Sequence, residues 1–239
     1  MTVTLRFPDA AGLADFRTFV SRARAADDGA IRLQLSSSPG AVLAAWVCVL
    51  RPRLLGEGTP TILGLRTMAL QSWSGSDGIQ AERLDRTVRL AELADRLARL
   101  DADETAISLP EVTVQEAWAS VSAPQDGWDS LGSLEGSRLR DAARQGMAEV
   151  AGVLPDRPGA LLLNNARSTV WGRGMDLPIE LRNEQPELEV PTGAAFAGEA
   201  LGFFADQPVN LYRSRRWLRL SSPRGHVLVR PASSLDALR

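Results

Sequence analysis

The sequence predicts an α+β fold in which antiparallel strands and packed helices form two helix-plus-hairpin lobes. Three observations lead there. Leu218 to Pro231, LRLSSPRGHVLVRP, reads as an alternating strand, a turn of Ser, Pro and Gly, and a second apolar strand. Leu33 to Leu43, LQLSSSPGAVL, echoes that phrasing near the start, and a helical segment precedes each copy. The N-terminal order of strand, helix, three strands and helix belongs to α+β lobes. The lobes are expected at 1–124 and 125–239, with Pro124–Asp129 as the seam, the alternative being that they merge into one domain. Ser-Pro-Gly turns between strands are common, so chance explains the echo better than duplication.

Taken in order, Val3, Leu5 and Phe7 alternate with Thr4 and Arg6 as a half-buried strand that Pro8 stops. Asp9 can cap the following helix, where Leu13, Phe16, Val20 and Ala23 share one face. Ile31, Leu33 and Leu35 form a second half-buried strand. Ala41–Leu50 is apolar on both faces, as in a central strand, and Thr61–Ser72 is a further strand with Gly64 as a bulge candidate.

The spacing then predicts a long helix over 79–100. Asp77 and Gln80 form a capping-box pattern, and Leu90, Leu93, Leu97 and Leu100 make an apolar row beside Leu84, Val88, Ala91 and Ala98. Glu82–Arg86, Asp85–Arg89, Glu92–Arg96 and Asp95–Arg99 are acid-first pairs at i, i+4. The wide stripe is expected to pack within the chain rather than on a second copy. Ala106–Leu109 reads as a short strand, and Thr113 with Glu116 as a box starting a brief helix near Trp118.

Leu139, Ala143, Met147, Val150 and Leu154 mark a helix ended by Pro155. Ala160–Trp171 favours helix over strand. Met175–Pro191 reads as loop, broken by Pro178 and Pro186. Thr192 caps a helix through Phe204 whose Gly193, Ala194, Ala195, Ala197 and Gly198 permit close approach of another element. Val209–Arg213, Arg216–Ser221 and His226–Arg230 close the chain as a meander, and the tail around Leu235 is expected to fray.

Composition narrows the chemistry. All 27 basic residues are arginine, so no Schiff-base, Walker or kinase-type lysine exists. One His and one Cys exclude zinc sites built mainly from those residues and an internal disulfide. Asp101, Asp103 and Glu104 fail the calcium-loop template, because its sixth and twelfth positions fall on Ala106 and Val112. No cofactor or metal is expected. A net charge of -2 gives no general attraction to nucleic acid or anionic membrane, so neither is expected as a partner. The apolar run Ala41–Leu50 is half a membrane span, the start lacks signal-peptide features, and the lone Cys48 suits a reducing compartment, which together read as cytoplasmic.

No stretch spells out a catalytic centre. No G-x-S-x-G or G-x-G-x-x-G occurs. A Cys48–His226 dyad is conceivable, but Cys48 lies in the most apolar run, where a thiol is inert core. His226 alternates against Val227 and Val229 and reads as a histidine on the wetter face of a sheet. Arg213, Arg215, Arg216, Arg219, Arg224 and Arg230 crowd the last meander with Tyr212 and Trp217 between them. Guanidinium beside aromatic surface suits phosphate or single-stranded nucleic acid, though a lysine-free chain must use Arg for every cation. Arg213, Arg216, Arg219, Arg224 and His226 are therefore the ligand-binding candidates. Trp46 and Trp73 fall in strands and read as core; Trp118, Trp128 and Trp171 flank loops.

At GWDSLG (Gly127–Gly132), AGVLPD, PTGAAF with ALGFF (Pro191–Phe204) and LSSPRGHVLVRP, the second half resembles a family of similar-sized uncharacterised actinobacterial proteins. The resemblance implies no activity and transfers no residue roles. The expectation is a non-enzymatic cytoplasmic binding or assembly protein that self-associates, with no assignable activity. The alternative is a small-molecule or anion binder using the arginine-rich meander.

Overall fold

The computed structural model describes residues 2–37, 40–53, 57–75, 83–155, 157 and 159–232. The chain divides into two compact units, one comprising 1–48 with 65–122 and the other 49–64 with 123–239.

In the first unit β1 (Val3–Arg6) leads into α1 (Ala10–Ala26), followed by β2 (Ala30–Ser36), all but the last two residues of β3 (Val42–Leu50), the later half of β4 (Thr61–Ala69) and β5 (Ser72–Gly75). After them come β6 (Arg83–Arg89), α2 (Leu90–Ala98) and β7 (Ala106–Ser108). Asp9 caps α1 as its position predicts, its carboxylate accepting from the Gly12 amide at 2.8 Å. The face bearing Leu13, Phe16, Val20 and Ala23 is buried, with Phe16 stacked on Phe7 at 5.5 Å between ring centroids. Leu90, Leu93 and Leu97 bury the matching face of α2, which packs on α1.

Strand 83–89 corrects the long-helix expectation; residues 76–82, including the Asp77–Gln80 box, lie outside the described residues. Leu84 and Val88 are four apart, a spacing that a helix face and a strand face share. The contest is settled by β2, which offers β6 a full ladder from Ala30↔Arg89 to Ser36↔Arg83. Asp85 consequently bonds across the sheet to Arg32 at 2.8 and 2.5 Å and to Gln34 at 3.0 Å, instead of to Arg89 along a helix. Among the described residues of that stretch, 90–98 is helical.

The second unit holds β8 (Asp129–Leu134), α3 (Gly136–Val153), α4 (Ala160–Gly172), α5 (Ile179–Glu184) and α6 (Thr192–Ala200). It ends in β9 (Val209–Ser214), β10 (Trp217–Ser222) and β11 (Gly225–Arg230). Helix α5 sits inside the stretch read as loop, and β8 was not signalled, because its GS-rich run has little apolar alternation. Helices α3 and α6 pack closely through small residues. Gly146 leaves no room for a side chain: a Cβ there would stand 2.3 Å from the Trp171 ring. Trp171 in turn stacks on Phe196 at 4.5 Å.

Antiparallel sheets with packed helices are present, but two helix-plus-hairpin lobes are not. In the first unit β1 leaves its neighbours to centre a three-stranded sheet, β5-β1-β7, while the β2–β3 hairpin is flanked by β6 and β4. In the second the meander is widened by β8, giving β11-β10-β9-β8, with four helices between β8 and β9. Backbone groups on strand edges seek partners wherever the chain can supply them, so neither hairpin stays a self-contained motif.

Candidate binding surfaces

Register decides which of the meander's cations can act together. In antiparallel pairs, residues directly opposite share a face, as do residues two apart on one strand. Arg219 lies opposite Tyr212 and Leu228, and Ser221 lies opposite Asn210 and His226. Arg219, Ser221, His226 and Arg230 therefore face one way. Arg213 pairs with Leu218 and points to the other side. Arg215 and Arg216 form the turn joining β9 to β10, with Arg215 at φ 53°, whereas Arg224 sits in the turn at the opposite end of β10. Six residues of strand, roughly 20 Å, separate these turns. Of the five candidates, only Arg219 and His226 share a surface.

That surface has a defined centre. The Arg219 guanidinium lies 4.4 Å from the Trp128 ring centroid and 4.6 Å from that of Tyr212. Trp128 is held in place by an Nε1–H bond to the Pro124 carbonyl at 3.1 Å. The Arg219 Nε is buried without a hydrogen-bond partner, and burial lowers the guanidinium pKa from its ordinary value. His226 Nδ1 and Ser221 Oγ are 3.0 Å apart, which ties β11 to β10 on the same face. Cys48 is buried in β3, as expected for core. Trp46 is half-buried and bonds Gln34 through its indole at 2.8 Å, while Trp73 is fully core.

Two other features have binding geometry. A groove of about 430 Å³ runs along α3, where Arg138, Asp141, Gln145 and Glu149 face Arg173 and Met175. The Arg173–Glu149 pair spans it at 2.8 and 3.2 Å, and its bonds hold the Glu149 carboxyl below its ordinary value. The groove's lining is acidic on balance, with Glu135, Asp141, Glu149 and Asp176 against Arg138 and Arg173. The helices α1 and α3 carry six arginines as well, of which three are in ion pairs among the described residues. Arg24 pairs with Asp28 and Asp95, Arg140 with Glu199 and Asp206, and Arg144 with Asp141. Arg22 and Arg138 have no ion pair among the described residues. Also among the described residues, no His, Cys, Asp and Glu group is placed to hold a metal, and no helix is long and apolar enough to cross a membrane.

Residues 1–120 match the family model described as a domain of unknown function, DUF8010. The chain belongs to the DUF8010 family. Residues 123–234 match a second domain of unknown function, DUF8185. No curated protein matches the sequence. The DUF8010 chain does resemble solved structures. Caulobacter crescentus pol III beta is 12% identical, with TM-score 0.50 over 100% of this chain and 68% of that one. The DNA polymerase sliding clamp from Pseudomonas aeruginosa, with ligand, gives 11% and 0.52, covering 98% of this chain and 65% of that one. The clamp from Bacillus subtilis gives 9% and 0.50 over 98% and 65%. The chain thus spans about two thirds of the length of these proteins, and at such identities the likeness carries the fold alone.

The fold likeness corrects the sequence reading at three points. The architecture is that of sliding clamps, not of paired helix-plus-hairpin lobes. The expectation of an assembly protein with no assignable activity, and its alternative of a small-molecule or anion binder using the arginine-rich meander, are overturned by the likeness to the sliding-clamp fold. The exclusion of nucleic acid falls as well, because it rested on net charge, and the proteins sharing this fold are clamps of DNA polymerase.

Proposed function

We propose that this protein is a clamp-like DNA-associated protein that holds DNA by enclosing it. The single observation behind this reading is the full-length likeness to sliding clamps, which covers 100% of the chain in the Caulobacter comparison. The electrostatics fit enclosure better than tight binding. Affinity for duplex DNA grows with the number of phosphates neutralised, yet the net charge is -2 and half of the arginines on α1 and α3, namely Arg24, Arg140 and Arg144, are paired with acids. A clamp that must slide needs no strong contacts, only closure. A compact unit of this size is about 35 Å across, so the two units of one chain cannot surround a duplex, and self-association belongs to the reading. A reducing cytoplasmic setting goes with it, since the lone Cys48 is kept as buried core.

The test compares retention on nicked circular duplex DNA with retention on the same DNA linearised. Both are run by gel filtration at salt high enough to suppress phosphate contacts. Retention on circles that is lost on linearisation is the expected result. Equal behaviour on both, or no retention on circles, rejects the reading. A native mass spectrum showing only monomer counts against it independently.

A further inference from the structure

We propose that the outward face of β8–β11, centred on Arg219 between Trp128 and Tyr212, is a docking site for an acidic segment of a protein partner. The inference goes beyond DNA association and holds whether or not the chain encloses DNA.

Charge comes first. Reading the registers across the four strands, this face carries Arg219, His226 and Arg230, together with hydroxyls, the Asn210 amide, aromatic rings and Leu228. Among the described residues of these strands none on this face is acidic; Asp129 pairs with Arg213 and belongs to the other side. In a protein with 29 acidic residues against 27 basic ones, such a face is a local exception. Elsewhere several partly buried arginines are matched by acids, Arg32 by Asp85, Arg66 by Asp15 and Arg140 by Glu199 and Asp206, while Arg17 donates to the Leu100 carbonyl. Arg219 and Arg230 have no ion pair among the described residues.

Geometry then selects the ligand. The Trp128 and Tyr212 rings both pack against the Arg219 guanidinium, and burial closes the Nε edge. What remains is the outer edge of the planar fork, whose parallel N–H groups match the two oxygens of a carboxylate. A guanidinium stacked in advance also loses little side-chain freedom on binding. Single-stranded nucleic acid is the poorer fit, because the ring faces that would receive its bases are the ones occupied by Arg219.

The test uses a short fluorescein-labelled peptide of alternating Glu and Leu, its Gln-for-Glu counterpart and an oligothymidine, each titrated onto the full chain by anisotropy. Expected are saturable binding of the acidic peptide, none of the Gln peptide, and roughly tenfold weaker binding in Arg219→Gln, the loss of one charged bidentate contact. Arg219→Lys should lose nearly as much, since it keeps the charge and loses the fork. Arg99→Gln in the first unit should bind as the parent does. Should Arg219→Gln unfold, Arg230→Gln, on the same face, takes its place with a smaller loss of a few-fold. Unchanged affinity in these variants, no binding of the acidic peptide, or tighter binding of the oligothymidine overturns the proposal.

Discussion

Arg32 on β2 and Arg219 on β10 both lie on antiparallel ladders with their guanidinium groups partly buried, yet they are held by different chemistry. Arg32 reaches diagonally to Asp85 on β6, in two hydrogen bonds that raise its pKa and hold the Asp85 carboxyl below its ordinary value. Arg219 reaches no acid and lies between two rings, with burial lowering its pKa. The first arginine is neutralised locally, with its Nε–H and an Nη2–H committed to Asp85. The second is held in place by ring faces that leave its charge available. In a chain without lysine, residue type says nothing about which arginine is structural; the partner does.

Gly225→Ala tests how far the Arg219 face depends on the core beneath its own sheet, and it carries the largest effect. Gly225 has φ 156° and opens β11, and a Cβ there would stand 2.6 Å from the Phe203 ring. Overpacking combined with backbone strain should cost about 3 kcal/mol in denaturant unfolding. A loss below about 1 kcal/mol would mean that the hairpin moves freely over Phe203.

Trp128→Ala breaks one half of the aromatic sandwich. The loss of packing and of a partly desolvated cation–π contact should cost about 2 kcal/mol. It should also let Arg219 swing free, seen as lost peptide binding in the folded variant. If stability is unchanged, the indole is a surface ornament and the contrast with Arg32 weakens.

Arg215→Gly acts on the turn that aligns Tyr212 with Arg219. Arg215 is the non-glycine residue at positive φ, at 53°. Glycine there should stabilise by about 1 kcal/mol, read as a raised Tm. A lower Tm would show that the Arg215 side chain itself holds the turn.

Asp85→Asn addresses the other arginine, with the smallest effect. The pair is partly exposed, Asp85 at 46% by side chain, so about 0.5 kcal/mol at neutral pH is expected. The sign follows from linkage. A carboxyl whose folded pKa lies below its unfolded one stabilises above the unfolded value, and that stabilisation is lost as pH falls through the folded one. The gap between parent and variant should therefore close in acid. A gap that persists at low pH would assign the effect to shape rather than charge.

These contrasts also show where the sequence was readable. The alternation in 209–230 announced β9, β10 and β11, Pro155 marked the end of α3, and Asp9 announced its cap. The small face of 193–198 foretold close packing, and α3 supplies the partner. The stretch 83–89 misled because Leu84 and Val88 satisfy both periods, and the deciding strand, β2, lies about fifty residues earlier, Asp85 bonding Gln34 at a separation of 51. The candidate cations were legible as a cluster in sequence but not as a surface. Arg213, Arg216 and Arg224 scatter to the far face and to both turns, and Trp128, the residue that fixes Arg219, comes from another part of the chain.

By itself the sequence determined the local elements and the chemistry this chain cannot perform, because side-chain periodicity and the absence of lysine are properties of neighbouring residues and of composition. Tertiary structure alone decided that 83–89 is a strand and that Arg219 is held by aromatic rings rather than by an acid. It also decided that the strands and helices assemble as a clamp fold. Those outcomes depend on hydrogen-bond register and ring contacts between segments distant in the chain, where the local pattern is silent.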